Sequence, residues 1–281
     1  MFKGEGLLAN KDYLAVLRRN LVNPVDEKLL AFTSDNVHTI LYSDMAHLCS
    51  LSGATYEELI ALFRAFGADS LEAFRDVLRP ILYQSPVETI AKRSMQSIMD
   101  ELFSKEISNL QDLIRELDMT KLDMLTQDIL SAPEVLVVCS PGTLPYACSL
   151  TNGLSKLGIK SQHLMGSMGL ADYYTCHDRS SLVIGIGFNL YYKPTVFTLR
   201  SLRQAGYRII SLTDRDDSPF ALLSDYYFIT RRKSFDFLES YTAGMAWINL
   251  LLLNIASQDV EKNVTNLQAH HTAMQELDEL F

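Results

Sequence analysis

The chain has 281 residues, of which 48% are hydrophobic and 21% are charged, and its formal net charge at pH 7 is −9. This length predicts about two domains of roughly 150 residues each. The apolar stretches, such as Ile248 to Ile255, are too short to span a bilayer, and residues 1–11 lack the apolar segment of a signal peptide. We therefore expect a cytoplasmic protein that has no membrane partner.

Four cysteines, Cys49, Cys139, Cys148 and Cys176, are spread along the chain. They have no pair spacing typical of zinc or redox sites, so buried, reduced thiols are the favoured interpretation. No metal-ligand spacing, Ser/His/Asp arrangement or Walker-type loop is visible. The sequence therefore predicts neither a metal nor a cofactor.

The first part of the chain predicts several short helices. Asn23-Pro24 is expected to start a helix that runs to about Thr33, and Ser43 is expected to cap a second helix from Asp44 to Ser50. A further helix begins at Ser70 and ends at Pro80. Several short helices in so little sequence predict a helical bundle.

A glycine turn at Leu51-Ser52-Gly53 precedes the most regular of these helices. Thr55 and Glu58 have the spacing of a capping box, in which each residue satisfies a backbone amide near the helix start. The apolar face then follows at helical spacing, with Leu59, Leu62, Phe63 and Phe66. Two helices joined by a glycine turn are typical of a helix-turn-helix.

Two longer helices lead into the first strand. A long amphipathic helix is predicted from Pro86 to about Leu117, another from Asp118 to Ser131, and a strand from Val135 to Cys139. After that strand, Thr143 is placed to cap a helix that is predicted from Leu144 to Leu157.

A strand, a helix and a second strand follow in close succession. Leu182 to Ile186 is an apolar strand, Lys193 to Ala205 has helical spacing before Gly206, and Tyr207 to Leu212 is the next strand. This order demands a right-handed parallel crossover, and ligands of such sheets lie beyond the carboxyl ends of the strands. The loops Gly187 to Tyr192 and Thr213 to Ser218 are therefore expected at a ligand site.

These loops carry side chains suited to a small anionic ligand. A phenol, an ammonium group and hydroxyls can hold an anion, and an aromatic ring can cover an apolar face. The alternative for the tyrosine pair is ordinary packing. The candidates in these loops are Phe188, Asn189, Tyr191, Lys193, Thr195, Thr213 and Ser218.

The last part of the chain adds one more candidate. A long apolar helix is predicted from Phe237 to Ile255, with Ser240 and Glu239 near its start. The basic cluster Arg231-Arg232-Lys233 can close over an anion, but solvated loop charges are the favoured interpretation. Because the helix is apolar around much of its circumference, we expect the sheet and a partner subunit to bury it together, which predicts a homodimer or homotetramer.

The order of elements from Val183 to Phe228 resembles the second half of a sugar isomerase (SIS) domain. The resemblance implies that phosphorylated sugars or amino sugars bind at the loops, with Ser240 pointing toward the ligand. SIS domains usually carry a serine-x-serine-glycine-x-threonine run in the second loop, which this chain lacks. Phe188, Tyr191, Lys193 and Thr195 instead fit a variant branch.

The resemblance to SIS domains also implies a phosphate site at the helix N-terminus after the first strand, where Thr143 keeps a hydroxyl, Gly142 permits a close approach and Ser140 is an additional candidate. The alternative is that Thr143 only caps the helix from Leu144 to Leu157.

The two halves together resemble an RpiR-type transcriptional regulator. The resemblance implies an N-terminal all-α helix-turn-helix bundle at 1–84, a helical linker at 85–118, and an α/β three-layer SIS domain with a mainly parallel sheet at 119–281. It also implies DNA binding by the helix that opens at Thr55. The candidate DNA contacts are Thr55, Tyr56, Glu58 and Arg64.

The charges of this first domain depart from the family pattern. Glu58 and Ala61 stand where family members usually carry a threonine and an arginine. Up to Ser85, eight Lys and Arg face eleven Asp and Glu, a net charge of −3, so DNA binding is expected to be weak or strongly local. The cations left to contact phosphates, besides Arg64, are Arg18, Arg19, Lys28, Arg75 and Arg79.

We therefore predict a ligand-responsive, DNA-binding transcriptional regulator whose SIS domain senses a phosphorylated sugar or another small anionic metabolite. The alternative is a sugar-phosphate isomerase, or a metabolite sensor that does not bind DNA. An isomerase needs a general base and an acid near the sugar carbonyl. His163 and His177 lie near strand ends and Glu239 lies near a helix start in the sequence, which keeps the isomerase alternative open. A lone histidine is more often a packing or surface residue than a catalyst, so we do not expect an enzyme.

Overall fold

The computed structural model describes residues 13–82, 93–189, 191–234 and 239–277. The chain forms two compact units, one of residues 1–101 and 234–238, and one of residues 102–233 and 239–281. The predicted domain boundary at 84/85 lies outside the described residues. Along the described ranges, no helix has the length and apolar character that crossing a membrane requires.

The described part of the first unit is helical. Its core is built from buried apolar residues of successive helices, and the rings of Phe63 and Phe74 stack at 4.6 Å. The predicted apolar residues Leu59, Leu62 and Phe63 are each 1% exposed. The helices are α1 Tyr13–Arg19, α2 Glu27–Asp35, α3 Val37–Ile40, α4 Met45–Ser52, α5 Tyr56–Ala65 and α6 Leu71–Leu82.

Three predicted helix ends in this unit were wrong. Helix α2 is capped by Asp26, whose carboxylate accepts a hydrogen bond from the Lys28 amide, and not by Asn23. Helix α4 is capped by Asp44 and not by Ser43. In both places the carboxylate of a nearby aspartate accepts a hydrogen bond from a backbone amide at the start of the helix. Pro80 lies inside α6, two residues before its end, where its missing amide hydrogen costs one backbone hydrogen bond.

The second unit begins with two helices and continues as an α/β unit. Helix α7 is Met95–Glu116, of which residues 95–101 belong to the first unit, and α8 is Met119–Ser131. The predicted start of α7 at Pro86 lies outside the described residues, as does the predicted helix start at Phe237. The remaining elements are β1 Val135–Cys139, a 3-10 turn Pro141–Thr143, α9 Leu144–Lys156, β2 Ser161–Met165, α10 Leu170–Cys176, β3 Leu182–Ile186, α11 Lys193–Gln204, β4 Arg208–Thr213, α12 Pro219–Leu223, β5 Tyr226–Ile229, α13 Thr242–Gln258 and α14 Val260–Glu276.

The strands form one parallel sheet in the order β2-β1-β3-β4-β5. Strands β1 and β3 are buried along their whole length, which explains their continuous apolar sequences. The predicted strand, helix and strand from Leu182 onward are confirmed. Since all strands run in one direction, the last residues of β1, β3 and β4 lie at the same edge of the sheet; these residues are Cys139, Ile186 and Thr213. The order reverses between β1 and β3, where open sheets of this kind bind ligands.

Helix α13 is covered by its own chain. Trp247 is 1% exposed, and its ring lies 4.9 Å from that of Phe228. The helix packs against α8, α9 and α14, and Leu253, which is 67% exposed, is one of its outward-facing apolar residues. The apolar circumference that was expected to meet a partner subunit therefore lies mostly inside the unit, so it no longer motivates the predicted homodimer.

Candidate functional site

The loop after β1 is joined to the end of β3 by Thr143. The Thr143 hydroxyl oxygen accepts a hydrogen bond from the Ser140 amide at 2.9 Å and donates one to the Ile186 carbonyl at 3.0 Å. Its side chain makes no capping hydrogen bond to α9, so the interpretation that it only caps this helix was wrong. Pro145 in the first turn of α9 also lacks an amide hydrogen.

Gly142 lies beside residues 239–241, the segment that precedes α13. A Cβ atom at this position would be 3.5 Å from the Glu239 Oε2 atom. The Tyr241 hydroxyl donates to the Gly142 carbonyl at 2.9 Å. Residues 239–241 therefore cover the loop after β1, and a carboxylate stands beside Gly142.

The second loop is held mainly by Asp214. The Asp214 carboxylate accepts hydrogen bonds from the Asn189 amide at 3.1 Å and from the Tyr191 hydroxyl at 2.5 Å. Burial, followed by the nearby Asp214, raises the pKa of Tyr191 well above its usual value of 10. Gly187 has no room for a side chain, since a Cβ atom would come within 2.2 Å of the Phe220 ring.

The other predicted residues of the second and third loops divide into buried and exposed groups. Thr195 is fully buried and donates to the Cys139 carbonyl at 3.4 Å, whereas Lys193 is exposed at the start of α11. Thr213 donates to the Ser218 hydroxyl at 2.9 Å, and Ser218 caps α12 by accepting from the Ala221 amide. These threonines and serines fix the loops that would surround a ligand.

Ser240 precedes α13 and uses its hydroxyl on helix α7. The hydroxyl donates to Glu106 Oε2 at 2.7 Å and accepts from Asn109 Nδ2 at 3.2 Å. The Ser240 carbonyl accepts from the Tyr146 hydroxyl at 3.1 Å and from Arg232 Nε at 3.0 Å. Ser240 therefore connects the loops at the sheet edge to α7.

The interpretation of Arg231-Arg232-Lys233 as solvated loop charges was wrong for Arg232, which is buried, whereas Arg231 and Lys233 are about 40% exposed. Each of the three side chains has a carboxylate partner. Arg231 pairs with Glu116 at 2.9 Å, and Lys233 pairs with Asp112 at 2.9 Å. Burial raises the pKa of Asp112, but Lys233 and then Arg115 outweigh it, so the net pKa is lowered.

Arg232 is the most buried member of this cluster. It is 4% exposed, its Nη2 atom lies 3.0 Å from Glu239 Oε2, and its guanidinium carbon lies 4.6 Å from the centroid of the Phe188 ring. The Phe188 ring, itself 3% exposed, packs at 5.3 Å from the ring of Tyr146. The sequence indicated Arg232 only as one member of a basic cluster that can close over an anion, and it did not distinguish this buried arginine from its two more exposed neighbours.

The histidines that were weighed as catalytic groups lie away from these loops. His163 is an exposed residue in the middle of β2. His177 follows α10, and its Nδ1 atom lies 2.5 Å from Glu134, which precedes β1 at the amino edge of the sheet. Among the three candidates, only Glu239 lies at the carboxyl edge.

The cysteines differ in exposure. All four are free thiols, but only Cys139 is fully buried, and burial raises its pKa to about 12. Cys148 and Cys176 are exposed, so the prediction of burial was wrong for these two. A thiol with such a high pKa remains protonated and unreactive at neutral pH.

Helix α5 holds the candidate DNA contacts of the first unit. The capping box is confirmed, because Glu58 Oε2 accepts from the Thr55 amide at 2.7 Å and from its hydroxyl at 2.9 Å. These two bonds, the backbone bond first, lower the pKa of Glu58. Tyr56 is 55% exposed, and Arg64 is exposed in the last turn.

Several cations of the first unit have internal partners. Arg75 donates to the carbonyls of Ile40 and Ser43 at 3.1 and 2.5 Å, which ties α6 to the end of α3. Arg79 pairs with Asp76, and Arg18 pairs with Glu27. The predicted phosphate contacts that remain exposed without such a pair in the described ranges are Arg19, Lys28 and Arg64.

No family model matches the sequence, and no curated protein sequence matches it. The fold of the second unit is that of a sugar isomerase domain, as comparison with solved structures shows. The sugar isomerase domain of an RpiR transcription factor from Sphaerobacter thermophilus is 26% identical, with a TM-score of 0.58 over 64% of this chain and 97% of that chain. The Vibrio vulnificus NanR protein complexed with ManNAc-6P is 17% identical, with a TM-score of 0.68 over 95% of this chain and 99% of that chain.

Proposed function

We propose that the chain is a ligand-responsive transcriptional regulator whose sugar isomerase domain binds a sugar phosphate or another small anionic metabolite. The observation that carries the proposal is the meeting of three loops at the carboxyl edge of β1, β3 and β4, at the point where the strand order reverses. One solved structure of similar fold is complexed with ManNAc-6P, and another comes from a transcription factor.

The ligand would lie among the predicted loop residues. Gly142 permits a close approach beside the start of α9, and Lys193 supplies an exposed cation at the start of α11. Phe188 and Tyr191 supply aromatic surface. The buried hydroxyls hold these loops in place and include those of Ser140, Thr143, Thr195, Thr213, Ser218 and Ser240.

DNA binding by the first unit is part of the same proposal. Helix α5 would enter the major groove with Tyr56 and Arg64 on its exposed side. Because Thr55 and Glu58 are engaged in the capping box, the Glu58 carboxylate is held at the helix start, where it opposes the approach of phosphates. Weak affinity at physiological salt follows.

A thermal-shift screen tests the ligand part of the proposal. We expect at least one of a panel containing ManNAc-6P, hexose 6-phosphates, pentose 5-phosphates and sugar acids to raise the melting temperature. A ligand at about 100 times its dissociation constant adds roughly 2.7 kcal/mol to the free energy of unfolding. Unphosphorylated sugars are the matched controls. No stabilisation by any member of the panel would contradict the proposal, whereas NMR detection of aldose-ketose conversion would favour the isomerase alternative.

A further inference from the structure

We infer that Arg232 binds the anionic group of the ligand and that Glu239 is an internal competitor for the same guanidinium. The inference rests on the proposed function, since it names the group that recognises the ligand at that site. It goes beyond the predicted loop residues, because neither side chain belongs to the loops after β1, β3 and β4.

Arg232 is fixed in place independently of its carboxylate partner. Its Nε atom donates to the Ser240 carbonyl at 3.0 Å, and its guanidinium lies on the Phe188 ring at 4.6 Å and near the Tyr241 ring at 6.0 Å. A planar guanidinium offers several donors in one fork, which can bind either phosphate or carboxylate oxygens in a bidentate manner. The fork therefore remains oriented when one anion replaces another.

Glu239 is the more exposed partner of this pair. Its side chain is 36% exposed, whereas that of Arg232 is 5% exposed. Its Oε2 atom lies both 3.0 Å from Arg232 Nη2 and 3.5 Å from the Cβ position of Gly142. A carboxylate oxygen thus already stands between the buried guanidinium and the glycine loop at the start of α9.

The surroundings explain why an anion is needed there. A buried guanidinium without a counter-charge is costly, so the position selects for a negative group. The aromatic residues around Arg232 add an apolar face, since the rings of Phe188 and Tyr241 lie 5.3 and 5.2 Å from that of Tyr146. A phosphorylated sugar matches this combination, because it joins a compact phosphate to a ring that has an apolar face.

The test uses Glu239→Gln in the full chain, with inorganic phosphate as the probe and chloride at equal ionic strength as the reference. We expect a lower melting temperature than wild type in chloride, and phosphate binding about tenfold tighter than wild type. Glu116→Gln is the matched control, because it removes the carboxylate of the neighbouring but exposed Arg231 pair. That variant is expected to respond to phosphate like wild type.

A double variant, Arg232→Lys with Glu239→Gln, identifies the cation. It retains a positive charge but loses the fork, and we expect it to lose the gain in phosphate affinity while circular dichroism shows an intact fold. The inference is overturned if phosphate stabilises Glu239→Gln no more than Glu116→Gln, or if the double variant keeps the gain.

Failure of the inference and failure of the proposed function give different results. If Glu239→Gln gains phosphate affinity while no sugar phosphate stabilises the wild type, the anion site stands and the proposed function fails. If a sugar phosphate binds the wild type and binds Arg232→Lys and Glu239→Gln with unchanged affinity, the proposed function stands and the inference is wrong.

Discussion

Two buried threonines near the carboxyl edge differ in the hydrogen bonds that their hydroxyls make. Thr143 is 3% exposed, and its hydroxyl satisfies both the Ser140 amide and the Ile186 carbonyl. Thr230, the residue after β5, is fully buried, and its hydroxyl has no hydrogen-bond partner among the described residues. Valine has nearly the shape of threonine, so replacing each residue isolates the effect of its hydroxyl.

Thr143→Val should lower the free energy of unfolding by about 2–4 kcal/mol, because a buried amide and a buried carbonyl both lose their partner. Thr230→Val should change it by about 1 kcal/mol or less, with a gain in stability expected, because it removes a buried polar group that has no partner. Urea unfolding monitored by circular dichroism measures both values. Equal losses of unfolding free energy in the two variants would contradict the view that the Thr143 hydroxyl stabilises this edge and the Thr230 hydroxyl does not.

The sequence predicted the loops of the site but not the use of their hydroxyls. Strand and loop positions follow from local patterns, and the apolar run Leu182–Ile186 is found as predicted. The partner of a hydroxyl depends on distant sequence, as in the bond from Thr143 to Ile186 and the bond from Ser240 to Glu106, 134 positions away. The burial of Arg232 likewise depends on Phe188 and Glu239, which no local pattern indicates.

At the scale of elements, Glu58 of α5 is a predicted DNA contact whose side chain also caps the start of its own helix. Replacing Glu58 to remove its charge would also remove the two hydrogen bonds that its carboxylate accepts from Thr55. Ala61 is exposed one turn further along and takes part in no cap. It is therefore the cleaner position at which to change the charge of this surface.

Ala61→Arg should raise affinity for DNA from the protein's own promoter region, most clearly at low salt, because each added phosphate contact steepens the salt dependence by about one unit. Fluorescence anisotropy at several salt concentrations measures the change. Ala269→Arg, at an exposed position of α14 in the second unit, adds the same charge and is the control. If both variants raise affinity equally, the effect is one of net charge, and α5 is not the reading helix.

At the scale of the whole molecule, each unit has its own core. The buried apolar residues of one core run from Leu17 to Leu78, and those of the other run from Leu113 to Ile255. The length of the chain predicted two domains, and we propose that these units correspond to the helix-turn-helix and sugar isomerase domains. Homodimer or homotetramer assembly stays a prediction.

The acid stability of the chain should depend on carboxylates with lowered pKa values. Burial raises the pKa of Asp225, but the Ile209 amide at 2.8 Å and Arg203 at 2.6 Å outweigh it, so the net pKa lies below the usual 3.8. Such a group stabilises the fold above its unfolded pKa, and this contribution is lost as the pH falls through the folded pKa.

Asp225→Asn should therefore lower the free energy of unfolding at pH 7 by about 1 kcal/mol, a small value because the ion pair with Arg203 is about one third exposed. The difference from wild type should shrink as the pH falls below 3.8. Urea unfolding at pH 7 and at pH 3 provides the comparison. If the difference in unfolding free energy is the same at both pH values, the charge of Asp225 does not stabilise the contact between β4 and the start of β5.

The hydrogen bonds of Ser240 also have a consequence for the rate at which α7 opens. Backbone amides of a helix exchange with deuterated solvent during local opening. Residues 106–112 of α7 cannot separate from the sheet edge without breaking the bonds of Glu106 and Asn109 to Ser240, whose carbonyl is held by Arg232. Deuterium uptake in α7 would therefore report how firmly Arg232 holds the Ser240 carbonyl.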